Sequence, residues 1–429
     1  MLLSVDEAIQ SYVARNPESL RLHEARTRVM PGGNTRSVLH VPPFPLTIVR
    51  AEGARIWDAD GHEYLDFLGE YTAGLYGHSH PAIVAAIEAA LADGIVLGGP
   101  NRYELELAEA IQARFPSIEL LRFCNSGTEA NLMAVSLARA VTGREKILVF
   151  AGGYHGGVLA FAHGGSPINA PFDYVLAPYN DVAGTQALIA RHATELAVVI
   201  LEPMMGGGGC IPADPAFLAM LRAEATAAGA LLILDEVMTS RLSPGGLQKT
   251  RGVKPDLTTL GKYVGGGMSF GAFGGRADIM DLFDPRRPDA LPHAGTFNNN
   301  VLTMAAGLAG LTEVYTPDAA NALNARGDAL RERLNASCMA HDVAVQFTGI
   351  GSMLAVHMTA DPVRSPEDAA KGDAKLKELF FFDMLAHGIW LARRGMMALC
   401  LPIGDAECDK LAGAVEEFVA SRRPLLARR

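Results

Sequence analysis

One lysine stands alone in an apolar, glycine-dense stretch, Asp256-Leu-Thr-Thr-Leu-Gly-Lys262-Tyr-Val-Gly-Gly-Gly-Met-Ser-Phe-Gly-Ala-Phe-Gly-Gly275. Leu257 to Leu260 read as a buried strand that Gly261 ends, which leaves Lys262 at a strand end with little polar company. A desolvated ammonium gives up its proton more easily, and the neutral amine attacks carbonyl carbon. The chemistry this points to is a Schiff base. The plain alternative is a surface lysine on a glycine turn.

Other segments carry groups such a lysine could work with. Leu231-Leu-Ile-Leu-Asp235-Glu236-Val237 puts an acid at the end of an apolar strand, and open α/β sheets bind ligands outside those ends. A carboxylate buried there needs a cationic partner. A protonated pyridine nitrogen would serve; a helix cap or a core hydrogen bond would equally account for Asp235. Asn125-Ser126-Gly127-Thr128-Glu129 stands just before a helix, where free N–H groups and the helix dipole attract an anion. Ser126 or Thr128 could also simply cap that helix. Gly152-Gly-Tyr154-His155-Gly-Gly157 follows a strand and offers Tyr154 to stack on a flat ring, with His155 in support or as a plain loop histidine. Gly295-Thr296-Phe-Asn-Asn-Asn300 is a second turn able to contact phosphate, with Thr296 as donor. One ligand uses all of these: pyridoxal 5′-phosphate, held as a lysine Schiff base with an acid on its ring nitrogen.

The elements that must position these groups follow a strand–loop–helix alternation. Lys146–Phe150, Val198–Leu201 and Leu231–Leu234 are short apolar runs of the kind buried on both faces. The stretches 127–141 and 214–228 are helical, and such alternation predicts a mostly parallel sheet flanked by helices. Residues 4–30 read as one or two surface helices, 46–49 and 54–57 as a hairpin with its turn at Asp58–Gly61, 81–91 as a helix, and 301–315 as a long helix. In the tail, 345–357 and 389–402 are strand-like, with helices at 375–387 and 405–421. The expected division is 1–65 as an N-terminal segment of a smaller α+β domain, 66–310 as the large cofactor domain, and 311–429 as the rest of the smaller one.

The 429 residues carry a net charge of −10 and no long basic run, which argues against nucleic acid. No apolar run is long enough for a bilayer, and Met1-Leu-Leu-Ser-Val-Asp6 lacks the pattern of a signal peptide. Five cysteines without a CxxC pair read as reduced thiols of a cytoplasmic protein, and no Cys/His cluster has metal spacing.

The order SGTEA, GGYHGG, LEPM, LDEVMTSR, PDLTTLGK-xxGGG and AGTFNNN closely resembles the class III pyridoxal-phosphate aminotransferases. The branch it is most similar to holds the β-amino-acid (β-phenylalanine) aminotransferases and glutamate-1-semialdehyde aminomutase. The resemblance spans nearly the whole chain. It implies a fold-type-I α/β architecture and a homodimer with shared active sites. It also implies that Lys262 forms the Schiff base, Asp235 pairs with the pyridinium nitrogen, and Ser126, Gly127 and Thr128 hold the phosphate. Thr296 would reach the phosphate from the partner subunit. Tyr154 would cover one ring face and Val237 the other, with Glu202 of the ILEPM turn as a supporting acid or a structural one.

Two arginines separate the branches. Asn34-Thr-Arg36-Ser-Val resembles the NSRSVLF of the β-transaminases, where the aminomutases resemble GGVNSPVR. In Trp390-Leu-Ala-Arg393-Arg394-Gly395, the β-transaminases place an arginine directly before the glycine, which maps to Arg394. A β-amino acid and a 2-oxo acid hold their carboxylates at different distances from the reacting carbon, so two guanidinium forks could bind them in turn. The expectation is Arg36 for the β-carboxylate and Arg394 for the acceptor, pyruvate or 2-oxoglutarate. Arg36 could instead form an N-terminal salt bridge, and Arg394 could be a solvated loop arginine. The aromatic-rich Tyr71–Tyr76 loop, with Tyr71 as a substrate-contact candidate, and the Val38–Phe44 stretch could line an apolar pocket for an aryl group, or be core. The short Tyr154–Pro178 segment and AGTFNNNV in place of AGTLSGNP argue against the alternative function, a glutamate-1-semialdehyde aminomutase. A non-catalytic cofactor-binding protein is disfavoured by the presence of both Lys262 and Asp235.

Overall fold

The computed structural model describes residues 4–427; Met1 to Leu3 of the N-terminal hexapeptide lie outside them. Its centre is a seven-stranded sheet. Across it run Leu120–Cys124, Gly271–Gly275, Leu257–Gly261, Leu231–Asp235, Leu196–Leu201, Lys146–Phe150 and Asp173–Ala177. Gly271–Gly275 runs antiparallel to both its neighbours; the other pairings are parallel. Every residue of Leu196–Leu201, Leu231–Asp235 and Leu257–Gly261 is buried. Helices on both faces exclude water from both, so these strands read as unbroken apolar runs rather than alternating ones.

This topology has one consequence for the site. Parallel strands all end at the same edge. The residues at or just after those ends are Ser126, Tyr154, Glu202 and, on adjacent strands, Asp235 and Lys262. Groups as far apart in sequence as 126 and 262 are delivered to one line by the hydrogen-bond ladder alone.

A four-stranded sheet joins Ile48–Glu52, Arg55–Asp58 and Glu63–Asp66 to Ile389–Trp390 from near the other end of the chain. The expected hairpin is present, but its turn is at Gly53-Ala54, and Asp58–Gly61 instead leads into a third strand. An antiparallel sheet of Gln346–Ile350, Met353–His357 and Met396–Ala398 lies beyond it in the chain. The helix expected at 301–315 is α-helical over Val301–Ala309 and widens into a π turn over Gly310–Val314. The Tyr76 ring fills the space beside Gly310, where a Cβ would lie 2.6 Å from its hydroxyl. Two helices that the sequence reading leaves unassigned, Arg102–Arg114 and Pro317–Ala340, complete the packing. Among the described residues no helix is long and apolar enough to cross a membrane.

Candidate active site

Lys262 begins a 3-10 turn, Lys262–Gly265, directly after its strand, with φ at +53°. Left-handed backbone is unfavourable for a side chain with a Cβ and persists only where the surroundings enforce it. Gly266 supplies that enforcement: a Cβ there would sit 2.3 Å from the Ala306 backbone, so the turn closes tightly on the next helix. Burial lowers the Lys262 ammonium from its usual range to about 8. Glu70 and Asp235 oppose the shift, and Arg394 and Arg36 reinforce it. The amine is thus partly neutral near pH 8, as a nucleophile and proton carrier requires.

Asp235, 4% exposed, anchors a polar network inside the sheet edge. Its Oδ2 accepts from Asn131 Nδ2 at 2.9 Å and lies 2.7 Å from His155 Nδ1. Its Oδ1 accepts from the Val237 N–H at 3.0 Å and faces the Thr259 hydroxyl at 3.4 Å. Thr259 also donates to Asn131 Oδ1 at 2.7 Å. No lysine or arginine pairs with this carboxylate among the described residues. Asn131 and Thr259 were not anticipated from sequence. The one signal for Asn131 is a polar residue four after Gly127, on a helix face otherwise made of Ala130, Ala134 and Val135.

The Ser126–Thr128 loop does cap a helix: Ser126 Oγ accepts from the Glu129 N–H at 3.2 Å, opening the 16-residue Gly127–Thr142 helix. Capping leaves the Gly127 and Thr128 N–H groups at the positive end of the dipole. Val237 packs directly against this loop and against the lysine strand. A Cβ on Gly127 would lie 2.9 Å from Val237 Cγ1, and one on Gly261 3.0 Å from the same atom. From the other side Thr128 Oγ1 accepts from the Gly157 N–H at 3.3 Å, and Gly156 at φ +130° leaves no room for a Cβ beside Thr128. Loop, valine, lysine strand and the glycine turn bearing Tyr154 therefore converge.

Tyr154 holds its ring 54% exposed while its N–H donates to Glu202 Oε1 at 3.0 Å. The second Glu202 oxygen accepts from the Gly206 N–H at 3.0 Å. Glu202 is buried, and desolvation pushes its carboxyl up to about 7. The acid joins two glycine-rich loops. Thr296 is exposed in the loop before the Val301 helix, and that loop touches the phosphate-candidate loop through Asn298 Oδ1, which accepts from Asn125 at 3.0 Å.

The two candidate arginines meet adjacent residues of one turn, Glu70 and Tyr71. Arg36 pairs with Glu70 at 2.6 Å, both half-exposed. Arg394 lies over the Tyr71 ring, 5.1 Å from its centroid, with no carboxylate partner among the described residues. Its neighbour Arg393 pairs with Glu378 at 2.5 Å, so of the two it is Arg394 that faces Tyr71 and bears on Lys262. Gly69, Glu70, Tyr71 and Thr72 all have positive φ, a run that costs each of its three non-glycine residues on the order of 1 kcal/mol or more. Arg241 holds it in place. This guanidinium, 1% exposed, donates to Thr72 O at 3.2 Å, to Ser352 Oγ at 3.1 Å and to Leu399 O. Beside Tyr71 opens a cavity of about 460 Å³ walled in part by Val38, Leu39, Leu68, Trp390 and Ala392. Lys262 and Asp235 do not line it; its shared edge with their surroundings is Arg36, Glu70 and Tyr71.

The family profile "Aminotransferase class-III" matches residues 37–419. The chain belongs to the class III aminotransferases. This aminotransferase is 56% identical over 422 residues to the β-phenylalanine transaminase of Variovorax paradoxus, covering 98% of this chain and 97% of that one. It superposes on a crystal structure of a β-phenylalanine aminotransferase from Variovorax paradoxus with a TM-score of 0.97, over 99% and 98% of the two chains. The glutamate-1-semialdehyde 2,1-aminomutase of Sorangium cellulosum is more distant, at 40% identity over 96% of this chain and 97% of that one. The enzyme is a pyridoxal-phosphate-dependent transaminase of fold type I, acting on an amino acid and a 2-oxo acid.

Proposed function

We propose that this transaminase takes the amino group of an aromatic β-amino acid, of the 3-amino-3-phenylpropanoate kind, and passes it to pyruvate or 2-oxoglutarate. The observation that carries the reading is that one turn holds two separate guanidinium groups through adjacent residues, Arg36 paired with Glu70 and Arg394 over the Tyr71 ring. Arg36 takes the carboxylate of the β-amino acid. Arg394, with no carboxylate partner to displace, takes that of the 2-oxo acid, and each fork can bind two oxygens at once. The cavity offers Val38, Leu39 and Trp390, among polar neighbours, as apolar surface for an aryl group. The kinship with the β-phenylalanine transaminase supports the same donor.

The residues present fit pyridoxal phosphate. Asp235 is a buried carboxylate with no lysine or arginine paired to it among the described residues, so a ring cation would complete it. A helix N-terminus faces the Gly156–Gly157 turn, where there is no room for a Cβ beside Thr128. Ser126, Gly127 and Thr128 hold the phosphate, Thr296 reaches the phosphate of the partner subunit's site, and Tyr154 and Val237 close on the two ring faces. Glu202 keeps Tyr154 in place through its backbone. Pyridoxal phosphate, when bound, supplies the electron sink that acidifies the C–H bond beside the amine. Lys262 Nζ takes the proton from that carbon, and its position saves the entropy of bringing a base from solution.

The homodimer is part of this reading. The exposed apolar residues Ile95, Val96, Leu97, Leu105 and Phe297 support it, and a sedimentation mass near 45.5 kDa rather than twice that value would count against it. Cytoplasmic residence is supported by five buried, unpaired cysteines.

A half-reaction tests the substrate assignment. Mixing the coenzyme-loaded protein with 3-amino-3-phenylpropanoate should bleach its visible band within the time of one turnover. Arg36→Ala should raise KM for that donor by about 10- to 100-fold, as expected for loss of a charge-assisted bidentate pair, and leave KM for pyruvate within about threefold. Arg394→Ala should do the reverse. Equal losses for both substrates in both variants would defeat the assignment.

A further inference from the structure

Arg36 and Arg394 differ in one respect. Arg394 lies over the face of Tyr71 and beside the Met396 sulfur, at 3.4 Å, with no carboxylate paired to it among the described residues, whereas Arg36 is already paired, Nη2 to Glu70 Oε1 at 2.6 Å. The pairing is built into the backbone. Glu70 stands in the run Gly69–Thr72, all at positive φ. The Gly74 N–H closes that run onto Gly69 O at 2.8 Å, and the buried Arg241 clamps its far end through Thr72 O. A chance surface ion pair does not need three non-glycine residues in left-handed backbone to form. Here the strained turn delivers Glu70 to Arg36 and Tyr71 to Arg394 together.

We infer that Glu70 is a specificity-determining residue: it is the built-in counter-ion of Arg36, which the carboxylate of a β-amino donor must displace and which returns when the bound substrate leaves Arg36 empty. The inference rests on the reading of Arg36 given above. It explains how one site serves two substrates in turn. With a donor bound, its carboxylate replaces that of Glu70 on the same fork. With pyruvate on Arg394, the guanidinium of Arg36 faces a methyl group, and Glu70 neutralises it; the distal carboxylate of 2-oxoglutarate would displace Glu70 as the donor's does. The exchange costs little because the Arg36–Glu70 pair is half-exposed, and pairs in such settings contribute modestly. Glu70 thus tunes donor affinity downward and keeps the acceptor state free of an uncompensated charge.

A double-mutant cycle on the coenzyme-loaded enzyme tests this. The probe is 3-phenylpropanoate, which has the donor's carboxylate and ring but no amine to react, and the readout is its dissociation constant by calorimetry. Glu70→Gln, which keeps size and removes charge, should bind the probe about three- to fivefold more tightly, the range that freeing a half-exposed partner allows. KM for pyruvate should not improve. In the Arg36→Ala background the same substitution should change nothing. If Glu70→Gln is not recovered folded, Glu70→Ala is expected to give the same sign. Unchanged or weaker binding in Glu70→Gln, with Arg36→Ala still weakening the probe, would overturn the role of Glu70 and leave that of Arg36 standing. Unchanged binding in Arg36→Ala would overturn both.

Discussion

Lys262→Ala is expected to lower the rate of transamination by about 10⁴-fold or more, because the substitution removes both a nucleophile and the proton carrier. The site's arginines and histidine do not stand in for it. Arg36 and Arg394 cannot deprotonate in a protein, and His155 is buried against Asp235. Coenzyme binding should survive, since the loop at Ser126, the Asp235 network and the Val237 contact do not involve the lysine side chain. Borohydride treatment should leave an adduct on Lys262 in the wild type and none on the variant. A variant within tenfold of wild type would remove Lys262 from the chemistry. The depressed titration adds a second signature, readable without substrate. In the coenzyme-free protein the folded state releases the Lys262 proton at about 8, whereas an unfolded chain holds it to about 10.4. Between those values the unfolded state binds more protons, so this residue's contribution to stability rises with pH. Below about pH 8 the burial penalty is felt in full. Lys262→Met should therefore be more resistant to urea than wild type at pH 7, with the advantage shrinking to nothing by about pH 10.5. A constant gap across that range would show that the lysine titrates normally.

What the sequence makes legible is what depends on near neighbours. Leu231–Leu234 is a buried strand on composition alone, and Asp235 follows it; Gly261 ends a strand, and Lys262 follows it. The parallel topology then aligns these ends, which is why single motifs with plain alternatives became one site. The clamps that hold the site are not local. Asp235 meets Asn131 across 104 positions and His155 across 80, and no spacing announces either contact. The left-handed backbone of Glu70, Tyr71 and Thr72 lies in residue types that do not favour it, so composition points away from the observed turn. Arg241 lies in the LDEVMTSR stretch, but a buried arginine held by carbonyls reads like a surface one until its acceptors are known. Other omissions had a signal: Thr316-Pro317 is a cap followed by a first-turn proline, and it opens the 24-residue Pro317–Ala340 helix. The alternatives kept open for several residues also hold alongside their proposed roles. Ser126 caps its helix, Asp235 accepts core hydrogen bonds and Arg36 forms an ion pair. Groups that must stay in place before a ligand arrives need partners of their own.

Asp235→Asn tests whether charge or hydrogen bonding at that position matters. The substitution keeps volume and removes a buried negative charge, and breaking a buried ion pair on one side typically costs about 3–5 kcal/mol. Applied to the coenzyme ring, that loss corresponds to a rate about 10²- to 10⁴-fold lower at saturating coenzyme. The network sharpens the expectation. Both oxygens of Asp235 accept: Oδ1 faces the Val237 N–H and the Thr259 hydroxyl, Oδ2 the Asn131 amide and His155. An asparagine has one acceptor oxygen. If it stays toward Val237, its NH₂ meets the NH₂ of Asn131, and Asn131 can turn only by giving up the bond from Thr259 and its own bond to the His155 carbonyl. The variant should therefore lose stability as well as rate. The second substitution Asn131→Asp separates the two effects. It returns a carboxylate to the network and relieves the donor–donor clash but gives up the Asn131 bond to the His155 carbonyl, so the urea midpoint should recover only in part while single-turnover rates do not. Recovery of both would mean that any negative charge in the network suffices. Asp235→Asn within threefold of wild type at saturating coenzyme would mean that no cation on the coenzyme depends on that carboxylate.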